Sequence, residues 1–213
     1  MKPNIFLMVI DSLQARKFYR GKTSLTPNID SLIKKGTYFE NLISACDTTL
    51  LSLTSLFTGK HAFKTGIRSP RYNKLNDDII TYFQILKESG YHLFAHRPSI
   101  GEIVGLMPTF ENDDSDYFYH YDLSNGLGKQ ILDKLDSNLP EPWFFYTHCN
   151  DLHFPVDTPK DFDNEKYGES KYERMISSID SWVGKFVEKI DLQKTLFIIT
   201  ADHATFVPYV DVN

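Results

Sequence analysis

The sequence predicts an α/β fold, a mostly parallel sheet with helices on both faces. Two apolar runs of strand length, one opening at Asn4 and one at Thr195, are nearly continuous rather than alternating, the pattern of strands covered on both sides. Each run closes on an acid, Asp11 in the first and Asp202 in the second. Between them, strand-like and helix-like segments alternate along the chain.

Taken in order, the strand at 4–10 leads into a polar loop from Lys17 to Leu25. A helix then starts near Pro27-Asn28, with proline in the favoured first turn, and closes at Gly36. A short strand is expected from Tyr38 to Ser44. The stretch from Thr48 to Gly59 reads as a helix: Leu50, Leu53, Leu56 and Phe57 form an apolar stripe, Thr48 or Thr49 opens it, and Gly59 stops it. Lys60 to Arg68 is a basic loop. Asp77 to Ser89 has helical periodicity ended by Gly90, and Tyr91 to Ala95 is the next strand.

His96 to Asp116, with its glycines, prolines and the acids Glu111, Asp113, Asp114 and Asp116, reads as a loop whose charges face solvent. Tyr117 to Tyr121 is a short strand, Asn125 to Asn138 a helix, Trp143 to His148 a buried strand, and Glu169 to Ile190 a long helix before the last strand. The tail from Thr205 to Val210 is apolar. It is expected either to cover the last strand or to leave a patch that favours self-association or a partner segment.

Composition bounds the function. The 213 residues, 41% hydrophobic and 14% aromatic, suit one globular domain spanning 1–213. A net charge of −5 argues against non-specific nucleic-acid binding, which needs a basic surface. The cysteines, Cys46 and Cys149, lie far apart and outside metal-ligand spacing, so a reduced compartment without a disulfide framework is expected. No apolar run approaches the roughly 20 residues of a membrane span, and no signal peptide precedes the first strand. A cytoplasmic location is the expectation.

In open parallel sheets ligands bind beyond the carboxyl ends of the strands. Asp11, Asp202 and His203 are therefore expected along one edge. A threonine before a helix is most often only a cap. Here, however, Thr49 stands where helix N–H groups and the positive end of the macrodipole favour an anion. Two carboxylates, an imidazole and a hydroxyl are ligands that divalent ions accept. His148, Asp151 and His153 follow the strand at 143–148 and face the same edge.

These residues resemble the alkaline phosphatase superfamily, in its sulfatase-like branch of metal-dependent phosphoryl and sulfuryl hydrolases and transferases. Asn4 to Asp11 is similar to the opening strand with its metal-binding Asp. Thr26 to Leu32 followed by Lys35 to Asn41 resembles the TPNLDxL…GxxFxN segment. Thr49 to Gly59 resembles the nucleophile helix, and Thr200 to His203 the T-x-D-H metal motif. The resemblance covers nearly the whole chain and leaves the family's C-terminal part outside it.

The resemblance implies one divalent ion (Zn, Mn, Ca or Mg) held by Asp11, Thr49, Asp202 and His203. It also implies Thr49 as nucleophile and His153 as a catalytic histidine; His148, at the exit of its strand on the same edge, and Lys60, in the basic loop after the Thr49 helix, are read from their placement as contacts to a small anionic ester. Members that act on sulfate carry formylglycine within C/S-x-P-x-R, whereas Leu51 and Leu53 stand here at the Pro and Arg positions and Cys46 is three residues out of register. Threonine points to phosphate mono- or diesters, phosphonates or phosphoethanolamine-type transfer. Ala204 departs from the glycine usual after Asp-His. Two alternatives stay open: a non-catalytic sulfatase-like module that retains metal or anion binding, and an unrelated nucleotide- or sugar-binding α/β domain.

Overall fold

The computed structural model describes residues 2–18, 21–69, 73–98, 104–117 and 122–205. Its strands are β1 (Asn4–Ile10), β2 (His92–Pro98), β3 (Asp116–Tyr117), β4 (Trp143–Cys149) and β5 (Thr195–Ala201). Its α-helices are α1 (Ala15–Phe18), α2 (Pro27–Lys35), α3 (Thr49–Thr58), α4 (Tyr82–Glu88), α5 (Gly128–Leu135) and α6 (Lys171–Lys189). The strands form one parallel sheet in the order β3-β2-β4-β1-β5.

Strand alternation divides the core. Phe6, Met8 and Ile10 of β1 point to one face, against Ile29 of α2, Ile131 of α5 and Met175, Ile179 and Val183 of α6. Leu7 and Val9 point to the other, against Leu50, Leu53 and Phe57 of α3 and Phe83 of α4. The expected helices on both faces are present. Phe6 stacks on Phe145 at 5.3 Å and on Phe197 at 4.8 Å, tying β1 to both neighbours.

Local chemistry explains the helix ends. Gly59 closes α3 at φ 64° with its N–H on the Ser55 carbonyl, a left-handed conformation that costs glycine little. The hydroxyls of Thr54 and Thr58 turn back onto the carbonyls of Leu50 and Thr54, so a hydroxyl-rich helix buries without orphaned donors. α6 begins with a reciprocal cap between Ser170 and Glu173. The first N–H groups of α2 are satisfied at long range, Ile29 by Asp180 Oδ1 at 2.7 Å and Asn28 by Asp180 Oδ2 at 3.2 Å.

Several boundaries differ from the sequence reading. Tyr38 to Ser44 is not a strand but irregular backbone with a turn at 40–41, and Phe39, Leu42 and Ile43 are exposed; no strand among the described residues pairs with it. α1 takes in Lys17 and Phe18 at the start of the expected polar loop, and β2 runs past Ala95 to Pro98, so His96 and Arg97 belong to the sheet. α4 starts only at Tyr82, where Gln84 Oε1 accepts the Thr81 N–H. The helix expected from Asn125 is a π-turn at Leu123–Leu127 followed by α5, with non-helical backbone at Asn125 and Gly126. β3 covers only the start of the expected strand, and residues 118–121 and 206–213 lie outside the described residues.

β5 is asymmetric. Phe197, Ile199 and Ala201 pack against the α6 core, whereas Leu196 and Ile198 on the α3 side are 52% and 36% exposed. They give this edge strand exposed apolar side chains, a surface that favours association. The chain is expected to sediment as oligomers at micromolar concentration. Leu196→Glu with Ile198→Glu should return it to a monomer, as analytical ultracentrifugation would show.

Candidate active site and metal centre

Register builds this site. Ile10 of β1 pairs with Cys149 of β4 and with Ala201 of β5, so the next residues, Asp11 and Asp202, leave the sheet at one level. The Asp11 N–H still bonds the Cys149 carbonyl at 2.9 Å, which fixes its backbone. By strand parity Asp11, His148 and Asp202 share the face of Val9, Tyr146 and Thr200, the face that α3 covers. Thr49, the first residue of α3, therefore meets them.

The Thr49 Oγ1 lies 3.3 Å from Asp11 Oδ2 and 3.1 Å from His203 Nε2. Asp202 Oδ1 accepts the N–H groups of Ser12 at 3.2 Å and of His203 at 2.7 Å. His203 Nδ1 donates to the Ala204 carbonyl at 3.0 Å. In the neutral ring Nε2 then carries the lone pair, and it faces Thr49, Asp202 Oδ2 at 3.5 Å and Asp11 Oδ1 at 3.9 Å.

The electrostatics are unequal. Burial alone would raise the Asp11 carboxyl, but the hydrogen bond and charge of His148, the Ser12 hydroxyl and the charge of His203 hold it at about 2. Asp202 is pushed up, by burial first and then by the charge of Asp11. Its Oδ2 is buried with no hydrogen-bond partner among the described residues. Ligand atoms of Asp11, Asp202 and His203 all lie within 4.8 Å of one another. An orphaned carboxylate oxygen, a second carboxylate and an outward nitrogen lone pair fit a divalent cation, with Thr49 as neighbour.

The other expected site residues separate. His148 is fully buried, between Tyr146 and Asp11. His153 lies on the exposed loop after β4, with its Nδ1 on the Phe154 carbonyl. Lys60 follows Gly59 at the far end of α3, about 15 Å from Thr49 at 1.5 Å per helical residue, so it does not reach the Thr49 hydroxyl. Asp151 is buried against the turn at Leu123, whose N–H it accepts at 3.2 Å, which makes it a brace for that turn.

Sequence reasoning passed over three contributors. Ser12, at φ 64°, aims its N–H at Asp202 and its hydroxyl at Asp11; a left-handed non-glycine residue costs about 1–2 kcal/mol and leaves no mark in the sequence. Tyr172 of α6 holds that turn by donating to the Ser12 carbonyl at 2.7 Å and accepting the Gln14 N–H at 2.8 Å. Ser44 donates to the Asp202 carbonyl, tying the loop before α3 to the end of β5.

Residues 3–207 match the family model described as Sulfatase. The chain belongs to the sulfatase family. An N-acetylglucosamine-6-O-sulfatase of Bacteroides thetaiotaomicron is 29% identical over 92 residues, covering 42% of this chain and 16% of that protein. Among solved structures, a protein in the alkaline phosphatase superfamily from Vibrio parahaemolyticus superposes with a TM-score of 0.66 at 20% identity, covering 99% of this chain and 58% of that one. The phosphonate monoester hydrolase of Agrobacterium radiobacter gives 0.77 at 14% identity, covering 95% and 63%. The chain thus spans about three fifths of these structures and shares their fold over that length. Sulfatase family members generally bind a divalent metal, and the acid–histidine cluster is this chain's candidate for that role. No described helix is long and apolar enough to cross a membrane.

Burial, and then the charge of Asp122, raise Asp151 from 3.8 to about 7. The folded chain keeps this proton up to about pH 7, while the unfolded chain releases it near 3.8, so folding takes up a proton between those values. The Asp151 contribution to stability should therefore fall as pH rises from about 4 to about 7 and level off above. Thermal melts of the metal-free chain across that range should show this slope, and Asp151→Asn should flatten it.

Proposed function

We propose that this chain is the metal-dependent core of a hydrolase or transferase for phosphate, phosphonate or sulfate esters, working through a covalent Thr49 intermediate. The observation that carries the reading is the convergence of the Thr49 hydroxyl, at the N-terminus of α3, with Asp11, Asp202 and His203. Family membership and the phosphonate hydrolase likeness support ester hydrolysis as the reaction class.

Asp11, Asp202 and His203 would hold the cation, which supplies positive charge that lowers the pKa of a nearby hydroxyl and draws the anionic ester. Thr49 then needs only a proton acceptor, and Asp11 Oδ2, 3.3 Å away, is within reach, since the single lone pair of His203 would be taken by the cation. Its Oγ1 forms a bond to phosphorus or sulfur in line with the ester oxygen that leaves. The side chain of Thr48 makes no cap, so the first N–H groups of α3 remain available to the non-bridging oxygens. His153, on its exposed loop, is assigned to the leaving-group oxygen, which must gain a proton as its bond breaks. Water or an acceptor alcohol then attacks the same centre and releases Thr49.

A threonine nucleophile, with leucines at positions 51 and 53, favours phosphate and phosphonate esters over sulfate esters. Elemental analysis of the purified chain, with turnover of chromogenic aryl phosphate, phosphonate and sulfate esters, tests the reading. One bound divalent ion and metal-dependent turnover are expected, with loss of several orders of magnitude in Thr49→Ala and little change in Thr48→Ala. The reverse pattern would move the nucleophile to Thr48, and a bound ion without turnover would mean a binding module.

A further inference from the structure

His148 was expected to meet substrate, yet its side chain is 1% exposed. It sits on β4 opposite Val9, and Tyr146, two residues earlier on the same face, is wholly buried with its hydroxyl 2.9 Å from His148 Nδ1. On the other side of the ring, Nε2 is 3.5 Å from Asp11 Oδ2, the oxygen that also lies 3.3 Å from the Thr49 hydroxyl. A line of polar groups therefore runs from the core beneath α3 to the proposed nucleophile.

The chemistry of the three groups dictates their protons. An ionised carboxylate only accepts, so the imidazole nitrogen facing Asp11 has to be the one that carries hydrogen. In the neutral ring Nδ1 then holds the lone pair, and the group opposite it has to be a donor. Tyr146 is such a donor. Its ring packs edge-on against Phe57 and at a steep tilt to Phe83, which holds the hydroxyl oxygen in place beside Nδ1.

We infer that Tyr146 and His148 are positioning residues: Tyr146 holds His148 in its Nε2–H form, and His148 orients the Asp11 carboxylate toward Thr49, Asp202 and His203. Nε2 approaches Asp11 Oδ2 at 3.5 Å, the outer limit of a hydrogen bond; outer contacts that orient a ligand set its direction and basicity, and their loss typically lowers metal affinity about 10–100-fold. The inference rests on the reading of Asp11 as a cation ligand.

The test uses the full chain labelled with 15N-histidine. Without metal and at about pH 8, two-bond proton–nitrogen spectra should report Nε2–H for His148 in the wild type and its loss, or a mixture, in Tyr146→Phe. Calorimetric titration with Mn2+ alone should show about 10–100-fold weaker binding in Tyr146→Phe and His148→Leu. His148→Gln, which keeps an N–H donor, should recover part of that loss. Nδ1–H in the wild type, or wild-type Mn2+ affinity in both Tyr146→Phe and His148→Leu, would overturn the inference. A wild-type chain that binds no Mn2+ overturns the cation reading of Asp11 instead. The spectra then decide the Tyr146–His148 pair alone: Nε2–H that depends on Tyr146 upholds it, and Nδ1–H rejects it.

Discussion

Two carboxylates at the ends of adjacent parallel strands are the constraint on which this structure depends. Asp11 and Asp202 are 2% and 4% exposed, and burying like charges side by side is costly unless something positive or hydrogen-bonding compensates. The chain compensates unequally. Asp11 receives His148, Ser12 and Thr49, whereas Asp202 takes two backbone N–H groups on one oxygen and keeps the other bare. The result is one carboxylate held ionised and one pushed toward protonation, an imbalance that a divalent cation would relieve. The same register that pairs β1 with β4 and β5 thus creates both the electrostatic problem and the place where it is answered.

Much of this was legible in the sequence, because the informative features are local. Continuous apolar runs ending on acids identify buried parallel strands and their site edge, and the leucine stripe with Gly59 delimits α3 at both ends. Strand parity then carries Asp11 and Asp202 to one face with no further information. The misreadings occur where tertiary partners decide. Tyr38 to Ser44 has strand composition but no strand beside it among the described residues. α2 takes the caps for its first turn from Asp180, more than 150 residues away, although Thr26 stands at the local capping position.

The site residues divide along the same line. Asp11, Thr49, Asp202 and His203 could be named because each stands at the end of an element that the sequence delimits. Lys60 could not be placed by proximity in sequence, since a ten-residue helix carries it away from Thr49. Ser12, Tyr146 and Tyr172 were invisible for another reason. Their contributions are a left-handed backbone, a hydroxyl bond between neighbours on one face of β4 and a hydroxyl bond made across the core, and none has a compositional signature.

The two halves of the site rest on unequal foundations. Asp11 and His148 extend from β1 and β4, interior strands packed on both faces, and their geometry is as firm as the core itself. Asp202 and His203 extend from β5, an edge strand with one covered face, and the Ser44 hydroxyl and the Ser12 N–H are the ties that bring them in. Elements with few buried contacts open more readily than the core. A cation bridging Asp11 to Asp202 and His203 would therefore do mechanical as well as chemical work, pinning the less supported strand to its interior neighbour β1. Binding that favours the folded state in this way stabilises it in proportion to occupancy, so order along β5 and occupancy of the site are coupled properties of one sheet edge.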